Sequence, residues 1–334
     1  MSAFYYRPIV QTDRNRPAGA LVLAGGWSWF THVERLSRDT KPEVVPAAAV
    51  PEAELRHFVS RRRLVCGLSM DAPRIMGILN ATPDSFSDGG LHNSFDGAVK
   101  RGFEMAENGA DIFDIGGEST RPGAAFVPSD EEIARTVPVI EALRAGGFDL
   151  PISIDTRKAD VADAALSVGA DMFNDVTAFT YDEASAGVAA KHGASACLMH
   201  AQGDPKTMQD DPQYDDVVLD VYDHLAARVA YAERAGIPRG QIVVDVGIGF
   251  GKTIEHNMQL IRGMSLFHGL GCVILLGVSR KRFIGVIGNA PEAADRAAGS
   301  IALGLEAVRQ GVQILRVHDI KQTKQAINLW QATL

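Results

Sequence analysis

The chain has 334 residues, 46% hydrophobic and 22% charged, proportions of an ordinary folded protein that exclude collagen-like, disordered and disulfide-stapled classes. Its net charge, 33 − 41 = −8, argues against a nucleic-acid binder held by bulk charge, so an anionic ligand needs specific residues to hold it. Three widely spaced cysteines without a CxxC pair read as reduced thiols of a cytoplasmic protein, and with no stretch near ~18 consecutive apolar residues neither a membrane span nor a leader is expected.

Residues 1–73 follow no single pattern and read as an N-terminal extension of short strand and loop segments, part of it mobile. Within it, 7–16 mixes Pro with charge, 20–24 has the apolar run of one strand, and 39–54 has the Pro, Ala and Glu content of a linker or mobile loop. Trp27, Trp29 and Phe30 crowd together and are expected to pack against the rest of the chain. Arg61-Arg62-Arg63 reads as a solvated turn. The role of this extension stays open between a dimer contact, a plug in the base of the main fold and a partner surface.

From 74 onward the pattern becomes regular. Short runs rich in Ile, Val and Leu fall at 75–79, 111–115, 151–154, 171–173, 195–199, 241–244, 272–276 and 313–317, as expected of parallel strands buried on both faces. Amphipathic segments at 94–108, 129–145, 158–168, 182–192, 214–235, 255–264, 290–309 and 319–331 alternate with them as helices. Asn108-Gly109-Ala110-Asp111 and Val168-Gly169-Ala170-Asp171 put a Gly where a helix ends and a strand begins. Eight strands alternating with eight helices predict an α/β fold, a closed (β/α)₈ TIM barrel over 74–334, a fold that takes about 250 residues.

In such a barrel the reactive groups project from the C-terminal strand ends. Those ends collect Asn80, Asp114, Asp155, Asn174, Asp245, Lys281, Arg316 and His318, together with two Gly-rich loops that carry Asp88 and Thr120-Arg121. Asp155, Asn174, Asp245 and Lys281 suit the hydrogen-bonding edge of a flat polar heterocycle, where a missing partner is costly and so discriminating. Arg316, His318 and Arg121 suit phosphate oxygens. Asn80 and Asp88 are hard oxygen donors of the kind that hold Mg²⁺ together with substrate phosphates. With no zinc-type His/Cys spacing and no nucleophile elbow, the set points to displacement of a diphosphate rather than acyl chemistry. Gly249-Phe250-Gly251-Lys252-Thr253 resembles a P-loop only superficially, because position 246, where that motif needs its first Gly, is Val. His200 reads at least as well as a satisfied loop histidine as it does as a ligand.

Two long motifs carry a family resemblance. One runs over 75–90 through Asn80-Ala81-Thr82-Pro83-Asp84-Ser85-Phe86-Ser87-Asp88, the other over 109–123 through Asp114-Ile115-Gly116-Gly117-Glu118-Ser119-Thr120-Arg121. With Asp155-Thr156, Asn174-Asp175, Met199-His200, Ser279-Arg280-Lys281 and Arg316-Val317-His318, the sequence from about 74 to its C-terminus closely resembles the dihydropteroate synthase family. The resemblance implies an enzyme that joins 6-hydroxymethyl-7,8-dihydropterin diphosphate to p-aminobenzoate, a transferase of folate biosynthesis and a sulfonamide target. It implies a pterin pocket of Asp114, Asp155, Asn174, Asp245 and Lys281 walled by Met199 and Phe250, and a diphosphate site of Asn80, Arg316 and His318. Mg²⁺ held by Asn80 and Asp88 is implied, with Phe86, Thr120, Arg121 and Arg282 toward p-aminobenzoate and its carboxylate near the helix start after Lys281. In the family the diphosphate leaves before the amine attacks, so Asp155, Lys281, Asp88 and Arg121 are the expected catalytic groups. A homodimer is implied, with the Ala- and Leu-rich stretch 297–308 as one candidate surface.

The chain departs from the family at Val246, where Pro is usual, at Arg282, where Ser is common, and in the length of its extension. Two other readings stay open on sequence: a pterin-dependent methyltransferase, which leaves Arg316, His318 and the Asp88 loop unexplained, and a non-catalytic pterin-binding paralogue, which the presence of Asn80, Asp155, Lys281 and Arg316 disfavours.

Overall fold

In the computed structural model, which describes residues 4–81, 90–119, 126–203 and 207–334, the eight apolar runs close a parallel barrel. Ahead of it come β1 (Tyr5–Pro8), β2 (Leu21–Val22), β3 (Trp29–Phe30), β4 (His32–Leu36), β5 (Glu43–Pro46) and α1 (Glu52–Val59). The barrel and its helices then run β6 (Arg74–Asn80), α2 (Gly90–Glu107), β7 (Ile112–Gly116), α3 (Ser129–Ala145), β8 (Ile152–Asp155), α4 (Ala159–Ser167), β9 (Met172–Asp175), α5 (Ser185–His192) and β10 (Ser195–Met199). They continue through α6 (Val217–Arg234), β11 (Ile242–Asp245), α7 (Ile254–Arg262), β12 (Val273–Leu276), α8 (Arg282–Ile287), α9 (Ala297–Arg309), β13 (Ile314–Val317) and α10 (Ile320–Gln331). β13 pairs with β6 and closes the ring.

The Gly-Ala-Asp repeat has a physical role at the base of the barrel. Asp111 accepts the N–H of Ile75 at 2.9 Å and Asp171 that of Ile152 at 2.8 Å, so each carboxylate satisfies a donor near the start of the preceding strand. Gln313 does the same for Ile274 at 2.9 Å.

Inside the barrel, alternate residues of each strand face the axis. Met76, Ile112, Met172, Cys197, Val243, Leu275 and Ile314 form an apolar layer there. Two residues further along, the same strands carry Asp114, Asn174, Met199, Asp245 and Arg316. That change from apolar to polar within one turn of the pleat puts the chemistry at the C-terminal end.

The extension is more structured than its composition predicts. Segment 39–54, expected as a linker, contains β5, which completes a three-stranded antiparallel sheet in the order β1-β4-β5, and the start of α1. Its signal is weak because Val44 is 60% exposed and gives the edge strand no buried alternation. Leu23, Phe30, Val33, Val50 and Phe58 make a separate small core. Trp27 donates to the carbonyl of Val308 at 2.8 Å and Tyr5 to Asp223 at 2.9 Å, fixing this unit to the outside of α9 and α6.

The last part of the extension plugs the barrel base. Val65 and Leu68 exchange backbone hydrogen bonds across Cys66-Gly67, both at positive φ, which is a tight two-residue hairpin. Val65 and Met70 are buried against the apolar barrel layer. Arg62 corrects the solvated-turn expectation. Its side chain is buried and donates to the carbonyls of His57, Ser60 and His268, while Arg61 and Arg63 face outward. Burial pushes Arg62 down to about 10.

Two further differences concern helices. The span predicted as one helix over 290–309 is a 3-10 turn, Ala293–Arg296, followed by α9, and the six-residue α8 precedes it. After α7 a fully buried 3-10 helix, Met264–Leu270, receives the packing of β1 and α1.

Candidate active site

The strand register brings the predicted groups together. β8 sets Asp155 beside Asn174, and β10 sets Met199 beside Asp245. Asp114, Asp155, Asn174, Asp245 and Met199 are all buried.

Arg316 on β13 bridges two of the carboxylates. Its Nε lies 2.6 Å from Asp114 and its Nη2 2.6 Å from Asp155, while Asn174 donates to Asp114 at 3.3 Å. One guanidinium is thus shared between two buried acids. Burial raises Asp155 to about 7, with Arg316 opposing and Asp114 adding to the rise. Burial works against the charge on Arg316, but Asp114 and Asp155 outweigh it and hold that group above its ordinary range. The Oδ1 of Asp155 is buried with no hydrogen-bond partner among the described residues, an uncompensated acceptor at the mouth.

Across the mouth, burial raises Asp245, with Lys281 opposing, and its Oδ1 accepts from Gly247 at 2.8 Å. Lys281 donates to the carbonyl of Ile248 and lies 4.6 Å from the centre of the Phe250 ring. Burial lowers Lys281 to about 8, with Asp245 opposing. The turn that carries Phe250 requires glycine. A Cβ on Gly247, at φ +67°, lies 1.8 Å from the carbonyl oxygen of His200, and one on Gly251, at φ +61°, 2.4 Å from that of Gln202. Val246, in place of the usual Pro, is fully buried and leaves these glycines in position.

On the remaining strands, Asn80 ends β6, half-buried, with no side-chain hydrogen bond among the described residues. His318 follows β13, with its Nδ1 3.0 Å from the hydroxyl of Ser279, which also accepts the His318 backbone N–H at 3.1 Å. Arg282 is exposed and begins α8, whose N-cap residue is Lys281. Phe86, Asp88, Thr120 and Arg121 lie outside the described residues.

Several groups around the site were not singled out from sequence. Arg280 makes a two-pronged ion pair with Asp319 and holds the β12 and β13 ends together. Glu118, just after β7, accepts from Lys158 at 3.1 Å and from the N–H of Val127 at 3.1 Å, and Lys158 reaches Glu132 at 2.6 Å. Lys252 is buried beside His200. Arg280, Glu118 and Lys252 lie in the quoted motifs, Lys158 and Asp319 within two residues of one and Glu132 outside them, and only the fold shows which neighbour each one meets.

The set offers a buried edge of acceptors and donors, a cation over an aromatic ring, and an Arg-x-His pair on the strand next to that of Asn80. That suits a flat polar ring joined to a phosphorylated arm.

A profile of the pterin binding enzyme family matches residues 76–318. The dihydropteroate synthase of Escherichia coli (strain K12) is 45% identical over 267 residues, 80% of this chain and 94% of the relative. Among solved structures, the Xanthomonas albilineans dihydropteroate synthase with 4-aminobenzoic acid superposes with a TM-score of 0.76 at 45% identity, covering 81% of this chain and 97% of that one. The Yersinia pestis dihydropteroate synthase in a sulfonamide drug complex gives 0.76 at 43% identity, over 81% of this chain and 98% of that one.

Proposed function

This chain belongs to the pterin binding enzymes and, within them, to the dihydropteroate synthases, and from that membership we propose how its own residues carry the reaction. The reaction condenses 6-hydroxymethyl-7,8-dihydropterin diphosphate with p-aminobenzoate to give 7,8-dihydropteroate and diphosphate.

The observation that carries the assignment of roles is the polar layer at the barrel mouth, with Asp155 sharing Arg316 with Asp114 and keeping one buried oxygen unpartnered. Asp114, Asn174, Asp245 and Lys281 take the pterin edge, and Met199 and Phe250 wall it. The methylene C–O bond breaks with its electron pair leaving on the diphosphate, and positive charge develops on the pterin methylene. The Asp155 carboxylate lies where it stabilises that charge in a site of low dielectric. The amine nitrogen then forms the C–N bond and loses a proton.

Arg316 and His318 bind the departing diphosphate; the Nη1 of Arg316 makes no hydrogen bond among the described residues and is left for phosphate oxygens. The uncommitted carboxamide of Asn80 fits a hard cation, and Asn80 with Asp88 would hold Mg²⁺, which when bound neutralises charge on the leaving group. A magnesium site completed by substrate phosphates needs no ready-made acidic cluster, and none of three or more such residues occurs among the described residues. Phe86, Thr120, Arg121 and Arg282 are assigned to p-aminobenzoate, for which a sulfonamide would compete. A cytoplasmic location agrees with the three free thiols, and no described helix is long and apolar enough to cross a membrane. Val286, Ile287 and Leu329, exposed on α8 and α10, support a homodimer through the last helices, and sedimentation at the monomer mass would rule that out.

The test is direct. Protein, Mg²⁺, the dihydropterin diphosphate and p-aminobenzoate should yield dihydropteroate and diphosphate in equal amounts, with loss of turnover on chelation and competition by a sulfonamide. If chelation leaves the rate unchanged, the Asn80 and Asp88 assignment fails.

A further inference from the structure

In the turn after β11, four successive carbonyls each accept from a side chain. Ile248 accepts from Lys281, Gly249 from Gln209 at 2.6 Å, Phe250 from Lys252 at 2.9 Å, and Gly251 from Tyr214 at 2.7 Å. The Gly249 N–H donates to Asn257 at 2.7 Å.

Lys252 is the unusual member. It is 3% exposed, and no carboxylate lies within ion-pair distance among the described residues. Its Nζ meets three acceptors: His200 Nδ1 at 2.9 Å, the Phe250 carbonyl at 2.9 Å and the His200 carbonyl at 3.3 Å. Burial holds Lys252 well below the ordinary lysine range, with Asp245 opposing, and an apolar side chain of similar length fills such a site more cheaply. Stability therefore does not explain a lysine at this position.

The acceptors come from two different loops. His200 directly follows Met199 at the end of β10, and Phe250 lies in the turn after β11. The Lys252 Nζ thus joins the segments that bear the two proposed walls of the pterin pocket. His200 is suited to accept, since burial drives it down to about 2, and its neutral ring packs edge-on to His224 at 4.8 Å between centroids.

We propose that Lys252 is a positioning residue for the pterin half of the substrate, tying the His200 loop to the Phe250 turn so that the Phe250 ring stays against Lys281. This deepens the synthase reading and rests on it. The test compares Lys252→Met with the unaltered protein by steady-state kinetics and by calorimetric binding of the dihydropterin diphosphate. Loss of the hydrogen bonds that join the two segments predicts a rise of about tenfold in KM and Kd for the pterin substrate, with KM for p-aminobenzoate unchanged. A lower Tm with both KM values unchanged would overturn the proposal, because that is what a purely structural lysine gives. If Lys252→Met does not fold, the double variant Gln209→Ala, Tyr214→Phe removes two other ties to the same turn. It should raise the pterin KM and Kd about threefold, and unchanged values contradict the proposal. Binding separates the two readings: if the unaltered protein turns over nothing, the synthase reading fails, while the effect of Lys252→Met on pterin affinity still decides the positioning role.

Discussion

Asp155 and Lys281 set the working range of the site in opposite directions. In the proposed mechanism Asp155 works as a carboxylate; burial raises it to about 7, so lowering the pH through that value would protonate it and remove its stabilisation of the methylene cation. The same proposal uses Lys281 as an ammonium; burial lowers it to about 8, so raising the pH through that value would discharge it. The pH profile of kcat/KM, which reports the free enzyme, should therefore be a narrow bell with limbs near 7 and 8. The acidic limb is that of Asp155 coupled to its neighbours. Asp155→Asn should flatten that limb and leave the alkaline one, and a flat profile from pH 6 to 9 in the unaltered enzyme would remove both assignments. These residues were legible in sequence because strand ends mark a barrel mouth. Arg316 was assigned to phosphate alone, whereas its place two residues above the apolar layer also brings it to Asp114 and Asp155, a contact across the ring that no spacing along the chain encodes. Lys252 was visible only as the end of a failed P-loop, since its meaning depends on a histidine 52 residues away.

At the scale of elements, the barrel strands were readable because burial on both faces makes them continuous apolar runs with a Gly-bearing turn before several of them. The extension was not. β5 is an exposed edge strand, α1 is an eight-residue helix following Pro51, and the plug is a two-residue hairpin whose partners lie inside the barrel. The plug completes the core from below. Met70 is 2% exposed against the lower barrel layer, so Met70→Ala should cost about 2–5 kcal/mol of unfolding free energy while leaving kcat near its original value. Urea denaturation beside a turnover assay checks both parts; an unchanged midpoint means that the hairpin is not packed as described, and a collapse of kcat means that the base and the mouth are coupled. The apolar layer lies between plug and polar layer, so kcat is expected to hold while the midpoint falls.

For the whole molecule, one end of the barrel is given to stability and the other to chemistry. The plug, the Asp111 and Asp171 contacts and the Gln313 contact occupy the base, whereas every described site residue stands at or above the polar layer. Residues 1–75 fall before the family match, and the E. coli relative aligns over 80% of this chain and 94% of its own length. The N-terminal unit holds the outside of α6 and α9 through Tyr5 and Trp27, away from the groups assigned to substrate. The measurement that bears most directly on this account is dihydropteroate and diphosphate formation by the unaltered enzyme and by Asp155→Asn under saturating substrates and Mg²⁺. The expected result is equimolar products from the former and a loss of roughly a hundredfold or more in kcat in the latter, with pterin diphosphate still bound, as for removal of a group that stabilises transition-state charge. No product from the unaltered enzyme, or an undiminished kcat in Asp155→Asn, would contradict it.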